Sequence, residues 1–290
     1  MNIIWSKYVQ GTKTLYYSRK LRFDDLFSEQ YKRLFELKED RALRILEIGC
    51  GPGALAGAMH RWYSNAEITA IDRDSEFIKF GSEREPGVNF IEGDATALPF
   101  QDNMFDVTIS NTVAEHIEPS KFYGEQLRVL KPGGVCLVLT TRKGINTNSN
   151  CITFNEYENQ FWEKVKQHDD SMDRFNVCKY PMSETEIPTL MAEYGFSRIS
   201  TGYVTVDLTP DNPRFSDALA YDMINANRYT ALDAIESVLH IMPEYVTTEE
   251  VEKMKNYTNK KYDARIEQYK YGEKQWDTNT SIIMVVRGVK

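Results

Sequence analysis

The residues best suited to chemistry lie in a glycine-rich segment, Gly49-Cys50-Gly51-Pro52-Gly53, with the acidic residue Glu47 two positions before it. Glycine permits a tight backbone path and lets main-chain atoms approach a ligand that a Cβ would block. A second acid, Asp72, follows at the end of an apolar run, where a carboxylate can accept hydrogen bonds from ribose hydroxyls. This pattern predicts a site for a nucleotide-like ligand.

Short apolar runs that alternate with helical patterns must position these residues. Such alternation predicts βαβ units and a parallel sheet, and two more strands are predicted further along the chain. The predicted strands are Arg44–Ile48, Glu67–Asp72, Val88–Ile91, Phe105–Ser110, Val135–Thr140, Tyr203–Leu208 and Ser281–Arg287.

Helix signals surround this core. Apolar residues at helical intervals predict an amphipathic helix over 22–38. Three Thr/Ser-x-x-Glu pairs are typical of capping boxes, and they predict helices near 154–168, 184–194 and 248–271, the last ending before Gly272. The three pairs are Thr153/Glu156, Ser183/Glu186 and Thr247/Glu250.

Composition limits the class of partner. The net charge of −8 argues against attraction of the whole protein to nucleic acid or to an anionic membrane, and we expect neither partner. The four cysteines lack metal-ligand spacing, so no metal site is predicted. The sequence shows neither a signal-peptide pattern nor an apolar run of the roughly 20 residues that a bilayer span needs, so a cytoplasmic location is expected.

The glycine segment alone leaves several interpretations open. Gly49-x-Gly51-x-x-Ala54 satisfies the dinucleotide pattern of a nicotinamide-dependent oxidoreductase, and the same glycines can simply make a turn. Additional motifs distinguish these interpretations. Glu47 extends the segment to E-x-G-x-G-x-G, and three more motifs follow in order: Glu92–Phe100 (EGDATALPF), Ser110–Ile117 (SNTVAEHI) and Leu127–Gly134 (LRVLKPGG).

In this order the motifs resemble the class I S-adenosylmethionine-dependent methyltransferases, over roughly residues 44–141. The resemblance implies a Rossmann-like α/β fold with a seven-stranded, mostly parallel sheet, an antiparallel last strand and helical lid insertions. It also implies S-adenosylmethionine as cofactor and a small molecule as methyl acceptor, the acceptor atom (O, N, S or C) being undetermined. We expect one domain with an N-terminal helical lid segment at 1–43, a cofactor-binding core at 44–144 and substrate-lid insertions at 145–195 and 208–279.

The resemblance implies roles for the residues around the glycines. The methionine part of the cofactor is expected over Gly49, Gly51 and Gly53, with Glu47 arranging the turn or reaching the amino group through water. Asp72 is expected to accept hydrogen bonds from both ribose hydroxyls. The alternative for Asp72 is an acid that caps the next helix.

The adenine end has its own expected residues. By the resemblance, Arg73 lies beside the adenine edge, Asp94 accepts a hydrogen bond from the exocyclic amine, and the N–H of Ala95 donates to a ring nitrogen. Asn111 is expected near the amino-acid group or the sulfonium, with a turn-initiating asparagine as the alternative.

His116 is the candidate catalytic residue. Methyl transfer to a protonated oxygen or nitrogen needs a base, and histidine titrates near neutral pH. The alternative is that Glu115-His116-Ile117 only starts the next helix. A non-catalytic module that binds S-adenosylmethionine and acts through its lid also stays open, whereas Asp94-Ala95 and Lys131–Gly134 disfavour the oxidoreductase.

Overall fold

The computed structural model describes residues 5–168 and 178–290. The chain divides into two compact units, each assembled from segments that are distant in sequence. The sheet unit comprises Arg22–Lys143, Cys178–Val206 and Ser281–Lys290, and the helical unit comprises Met1–Leu21, Gly144–Val177 and Asp207–Thr280.

The described residues form seven strands in one sheet. The strands are β1 (Arg44–Ile48), β2 (Glu67–Asp72), β3 (Asn89–Glu92), β4 (Phe105–Asn111), β5 (Leu130–Thr147), β6 (Ser197–Val206) and β7 (Thr278–Val289). Their order is β3-β2-β1-β4-β5-β7-β6. The pairs among β1 to β5 are parallel, and β7 is antiparallel to β6. The predicted α/β fold, mostly parallel with an antiparallel last strand, is confirmed.

Each helix of the described residues precedes β1 or lies between two strands in sequence. They are α1 (Trp5–Tyr8), α2 (Thr12–Arg22), α3 (Ser28–Phe35), α4 (Ala54–Trp62), α5 (Ser75–Arg84), α6 (Pro119–Val129), α7 (Glu156–Lys166), α8 (Glu186–Glu193), α9 (Asp217–Ile241) and α10 (Thr248–Lys270). Short 3-10 turns occur at Asp25–Phe27 and Ala114–His116.

Four of the five residues of β1 are buried, as is typical of an interior strand of a parallel sheet. β1 and β2 begin and end at the predicted residues, whereas β5 starts earlier and runs longer than expected. Leu130 already pairs with Phe105 of β4, and a register shift separates Phe105 from Val107. The Lys131–Gly134 part of the LRVLKPGG motif therefore belongs to an irregular strand, in which Gly133 has a φ of +77°.

The predicted helix over 22–38 is wrong as a single element. Asp24 has extended backbone angles, and its side chain accepts the N–H of Leu26. This local hydrogen bond competes with the helical ladder. It ends the helical path after Arg22, and α3 covers only eight of the expected residues. Leu26, counted in the apolar pattern, is 58% exposed.

Two of the three predicted capping pairs form. Thr247 and Glu250 make the full capping box of α10, and Ser183 exchanges hydrogen bonds with Glu186 before α8. The Thr153/Glu156 pair is wrong, because α7 is capped two residues later by Asn155 and Glu158. Asparagine is as good an N-cap as threonine, and spacing alone does not choose between the two.

β1 lies at the centre of the sheet and is almost inaccessible to solvent. Its residues Leu46 and Ile48 pack with Ile71 of β2, with Phe105 of β4 and with Val129 of α6. This core fixes the carboxyl ends of β1, β2 and β4 relative to one another. Those ends carry most of the residues that the sequence analysis identified.

The helical unit has its own core, in which α7, α9 and the start of α10 meet. The sequence predicted helical insertions here but did not distinguish α9 as an element.

A buried cluster of charge lies in this unit as well: Arg265 is fully buried, and its guanidinium contacts Asp211 at 2.7 Å and Asp277 at 2.6 Å. Asp211 also accepts the backbone N–H groups of Gln275 and Trp276.

Within 5–168 and 178–290, no helix is long and apolar enough to cross a membrane. In the same residues, no group of three His, Cys, Asp or Glu side chains is arranged to hold a metal ion.

The buried charge cluster leads to a stability prediction. Asp211→Ala should lower the free energy of unfolding by about 3–5 kcal/mol, because Asp277 still pairs with Arg265 but three buried donors, one on the Arg265 guanidinium and the N–H groups of Gln275 and Trp276, lose their acceptor. Asp263→Ala is the control: Asp263 is a partner of Arg228 and is 67% exposed, so its loss should cost at most about 1 kcal/mol. Urea denaturation of both variants measures the difference, and equal losses would contradict the argument.

Candidate functional site

The glycine segment forms a tight turn between β1 and α4. Gly49, Gly51 and Gly53 all have left-handed backbone angles, with φ values of +66°, +52° and +86°. Side chains with a Cβ adopt this region at a cost, so the glycines are required by the backbone path itself. The N–H groups of Gly49 and Cys50 both donate to the carbonyl of Ile71, at 2.8 and 3.0 Å, which ties the turn to β2.

The Asp72 carboxylate makes a second tie between the glycine turn and β2. One oxygen accepts the N–H of Gly51 at 2.8 Å, and the other accepts the N–H of Asp74 at 2.9 Å. Asp74 in turn caps α5 through the N–H of Glu76. Burial raises the pKa of Asp72, and the two backbone hydrogen bonds oppose that rise. Each oxygen retains a lone pair that can accept another hydrogen bond.

Close packing around the glycines joins the ends of four strands. A Cβ at Gly49 would lie 2.5 Å from a methyl carbon of Val113, and a Cβ at Gly53 would lie 2.4 Å from the ring of Phe90. Val113 follows β4 and Phe90 belongs to β3. The turn is therefore held from both sides, and Glu47, which is 2% exposed within β1, lies at its base.

The end of β4 carries an unusual backbone and a polar atom without a partner. Thr112 has a φ of +54°, which is rare and costly for a β-branched residue. Its N–H donates to the carbonyl of Leu139 in β5. The neighbouring Asn111 has its side-chain oxygen buried, and that oxygen has no hydrogen-bond partner among the described residues. A buried acceptor without a partner is costly unless a ligand or water satisfies it.

The residues expected at the adenine end lie just beyond β2 and β3. Arg73 is exposed directly after β2, and Asp94 is exposed in the loop after β3. One Asp94 oxygen accepts both the N–H and the hydroxyl of Thr96, each at 2.8 Å. Ala95 packs against the core that contains Leu46. Because Asp72 pairs with Glu92 in the sheet, the two loops leave the same edge side by side.

Helix α6 holds the loop after β3 through two residues that the sequence analysis missed. Glu125 accepts the N–H of Leu98 at 2.6 Å. Arg128 donates to the carbonyls of Leu98 and Phe100, at 3.0 and 2.7 Å, and forms an ion pair with Glu125. These bonds fix the loop that bears Asp94 and Ala95. The Glu-x-x-Arg spacing indicates an ion pair wherever the segment is helical, but it does not indicate the contacts of these residues with the loop.

His116 lies in the 3-10 turn between β4 and α6, so the Glu115–Ile117 segment does not start α6 itself. Its Nδ1 atom accepts the backbone N–H of Cys178 at 3.0 Å, and the Glu115 carbonyl accepts the N–H of Tyr180 at 2.9 Å. The ring is therefore tied to the segment that leads into α8. A neutral imidazole whose Nδ1 accepts a hydrogen bond carries its proton on Nε2.

Taken together, the structure puts the predicted cofactor-binding residues of the sheet unit along one edge. Glu47, the three glycines, Asp72, Arg73, Asp94, Ala95 and Asn111 all lie at or just beyond the carboxyl ends of β1 to β4. That edge, at the point where the strand order reverses, is where open α/β sheets bind ligands.

Comparison with known proteins places residues 46–138 in a family described as "Methyltransferase domain". Among curated relatives, the chain is 43% identical over 98 residues to the demethylmenaquinone methyltransferase of Renibacterium salmoninarum, a match to 33% of this chain and 40% of that protein. It is 39% identical over 103 residues to the fatty-acid O-methyltransferase of Mycolicibacterium smegmatis, a match to 34% of this chain and 37% of that protein. The chain thus spans well under half the length of these relatives.

A solved structure extends the similarity in fold. Phosphoethanolamine N-methyltransferase 2 of Haemonchus contortus, in complex with S-adenosylmethionine, matches 99% of this chain and 59% of its own with a TM-score of 0.51. Its sequence identity to this chain is 19%, so the likeness is one of fold.

The α6 contacts predict how the loop depends on the helix. Arg128→Met should destabilise the protein by about 1–3 kcal/mol and should accelerate exchange of the Leu98 amide, because the loop loses its hydrogen bonds to α6. Lys121→Met, on the exposed face of the same helix, is the matched control and should leave that amide unchanged. Hydrogen exchange measures both; an unchanged Leu98 rate in Arg128→Met would refute the dependence.

Proposed function

Because residues 46–138 match the family described as "Methyltransferase domain", we propose that the chain is a class I S-adenosylmethionine-dependent methyltransferase and transfers a methyl group to a small-molecule acceptor. The observation that carries the proposal is the glycine turn at the end of β1, bound to β2 by the Asp72 carboxylate. Cytoplasmic location remains a prediction.

The residues present fit S-adenosylmethionine. In this proposal Gly49, Gly51 and Gly53 face the methionine part with their backbone, and Glu47 shapes the turn from below. Because the N–H of Gly51 already donates to Asp72, contact at that glycine involves its Cα and carbonyl. The side-chain oxygen of Asn111, which has no hydrogen-bond partner among the described residues, is suited to an ammonium group.

The remaining roles concern the nucleoside. Asp72 keeps lone pairs for the ribose hydroxyls while it holds the turn. The alternative that Asp72 caps the next helix is wrong, because Asp74 is the N-cap of α5. Arg73, Asp94 and the Ala95 N–H are assigned to the adenine. Asp94 reaches that role with one oxygen, because the other is used by Thr96.

When bound, S-adenosylmethionine supplies a methyl group that is already activated on a sulfonium. The chain's own residues therefore have to orient the acceptor, exclude water and, for a protonated oxygen or nitrogen, accept a proton. The acceptor itself remains open. The relatives' names refer to demethylmenaquinone and to fatty acids, and those are substrates of the relatives.

His116 can act on the acceptor in two ways. In the present geometry Nδ1 is occupied by the N–H of Cys178, so Nε2 carries the proton and donates a hydrogen bond that orients the acceptor. Removing a proton at Nε2 requires the other tautomer, with its proton on Nδ1 and the Cys178 hydrogen bond broken. We therefore propose orientation as the role of His116 in this conformation, and the base role remains a prediction.

Ligand binding tests the proposed function. S-adenosylhomocysteine should bind and raise the Tm in a concentration-dependent way, and NAD should do neither. Asp72→Ala should weaken binding by about 1–3 kcal/mol. Calorimetry measures both ligands, and a product-release assay for S-adenosylhomocysteine across a metabolite panel identifies the acceptor. Binding of NAD without S-adenosylhomocysteine would refute the proposal, and binding without turnover on any acceptor would favour a non-catalytic module.

The role of His116 is tested by its pH dependence once an acceptor is found. If His116 is a base, His116→Ala should lower kcat about 10²-fold or more and remove an inflection near neutral pH. If it only orients the acceptor, KM should rise and the inflection should not change. Affinity for S-adenosylhomocysteine should stay nearly constant in both cases and serves as the control for folding.

A further inference from the structure

A cavity of about 440 Å³ opens in the helical unit, beside the start of α9 and the end of α10. Its size is within the range of small-molecule pockets, roughly 300–1,000 Å³. Acidic, aromatic and basic side chains line it, among them Asp211, Phe215, Asp217, Tyr221, Tyr269 and Lys274. Every lining residue belongs to the helical unit, so the cavity is separate from the ligand edge of the sheet.

The cavity borders a buried cluster with an excess of negative charge. Asp211 and Asp277 share the single guanidinium of Arg265, so the three side chains together carry a net charge of −1. All three side chains are at most 8% exposed. A buried charge that no opposite charge balances is costly. A cation in the cavity, next to Asp211, would therefore stabilise the cluster.

Asp211 has one oxygen available to such a cation. Its Oδ2 accepts three hydrogen bonds, from Nη2 of Arg265 and from the N–H groups of Gln275 and Trp276, at 2.7, 2.9 and 3.0 Å. Its Oδ1 accepts none from the described residues. A carboxylate oxygen has two lone pairs that can accept. Because Asp211 lines the cavity, a ligand there can bind Oδ1.

A second carboxylate and aromatic rings line the same cavity. Asp217 accepts the Tyr269 hydroxyl on Oδ1 at 2.9 Å, and its Oδ2 has no partner in the described part of the chain. The rings of Tyr221 and Tyr269 pack edge to face, with their centroids 5.3 Å apart. Aromatic faces and carboxylates both attract organic cations. The lining is therefore suited to a ligand that has a positive charge and an apolar body.

The lysines of the lining have other partners. Lys270 forms an ion pair with Glu267 at 2.6 Å, and Nζ of Lys274 donates to the backbone carbonyl of Asp211 at 3.1 Å. Within 5–168 and 178–290, neither ammonium lies within 4.0 Å of the Asp211 or Asp217 carboxylate. The two carboxylates thus keep free oxygens despite the nearby lysines.

We propose that this cavity binds a small organic cation, whose ammonium group faces Asp211 and Asp217 and whose carbon atoms contact the tyrosine rings. An ammonium group fits better than a metal ion, because the described residues offer no group of three His, Cys, Asp or Glu side chains that could hold a metal. The inference goes beyond the proposed methyl transfer and does not depend on it, since no residue of the cofactor site takes part.

The charge requirement is tested with choline, with ethanolamine and with the uncharged carbon analogue of choline, in which a tert-butyl group replaces the trimethylammonium. An NMR titration of the full chain follows the ligand signals. At least one of the two ammonium compounds should bind, and about 10-fold or more tightly than the uncharged alcohol. The proposal is overturned if neither binds at millimolar concentration, or if the uncharged alcohol binds as tightly.

Variants locate the binding. Asp217→Asn removes a charge but keeps an acceptor for Tyr269, and it should weaken binding of the ammonium compound about 3-fold or more. Asp222→Asn is the matched control, because Asp222 is exposed on the same helix and does not line the cavity. Equal affinities of these two variants would contradict the assignment. Circular dichroism shows that both variants are folded.

Lys274→Met tests whether the chain supplies its own cation. Removing this positive charge from the lining should strengthen binding of the ammonium compound, because the net negative charge around the cavity increases. If Lys274→Met binds the compound and the wild type does not, the lysine itself is the cation of this cavity, and the proposal is overturned.

Discussion

The hydrogen bonds of one carboxylate hold the ligand edge together. Asp72 accepts the N–H of Gly51 and the N–H of Asp74, so the turn before α4 and the start of α5 are fixed to the same side chain. Bonds to a charged acceptor contribute more than neutral ones, about 1.5–3 kcal/mol each. The left-handed glycines can follow this path, and the close packing of Val113 on Gly49 then links it to β4.

The end of β4 shows how such an edge keeps a strained backbone. A left-handed threonine costs of the order of 1–3 kcal/mol and persists only where its surroundings determine its conformation. At Thr112 the N–H is held by Leu139, and the following Val113 is packed against the glycine turn. The left-handed conformation of Thr112 turns the chain away from the direction of β4 immediately after Asn111. The Asn111 side chain therefore lies at the same edge of the sheet as the glycines.

Local sequence patterns predicted the parts of the fold that local physics determines. β1 and β2, short and mainly apolar between their terminal residues, were predicted to the residue, and the capping box at Thr247 was correct. Patterns failed where a short-range alternative was equally good. Asp24 interrupts the expected helix over 22–38 with a single side-chain bond, and Asn155 replaces Thr153 as the cap of α7.

The candidate site likewise contains residues that the sequence predicted and residues that it could not predict. The glycines and Asp72 were found because their motif is contiguous or regularly spaced. Arg128 was not, since the carbonyls of Phe100 and Leu98, to which it donates, are 28 and 30 positions away in sequence and no motif records those contacts. The hydrogen bond between His116 and Cys178 could not be predicted either, because it joins a side chain to a backbone N–H that is 62 positions away in sequence.

The contacts between α6 and the loop after β3 have a consequence for recombination. Glu125 and Arg128 bind only backbone groups of that loop: the N–H of Leu98 and the carbonyls of Leu98 and Phe100. Every residue type provides these groups, except that a proline at position 98 would lack the N–H. Loops of equal length that keep apolar side chains at the core positions of Leu98 and Phe100 can therefore be exchanged onto the same helix. A loop of different length would misplace those backbone groups, and chimeras of that kind need the loop and α6 transferred as one block.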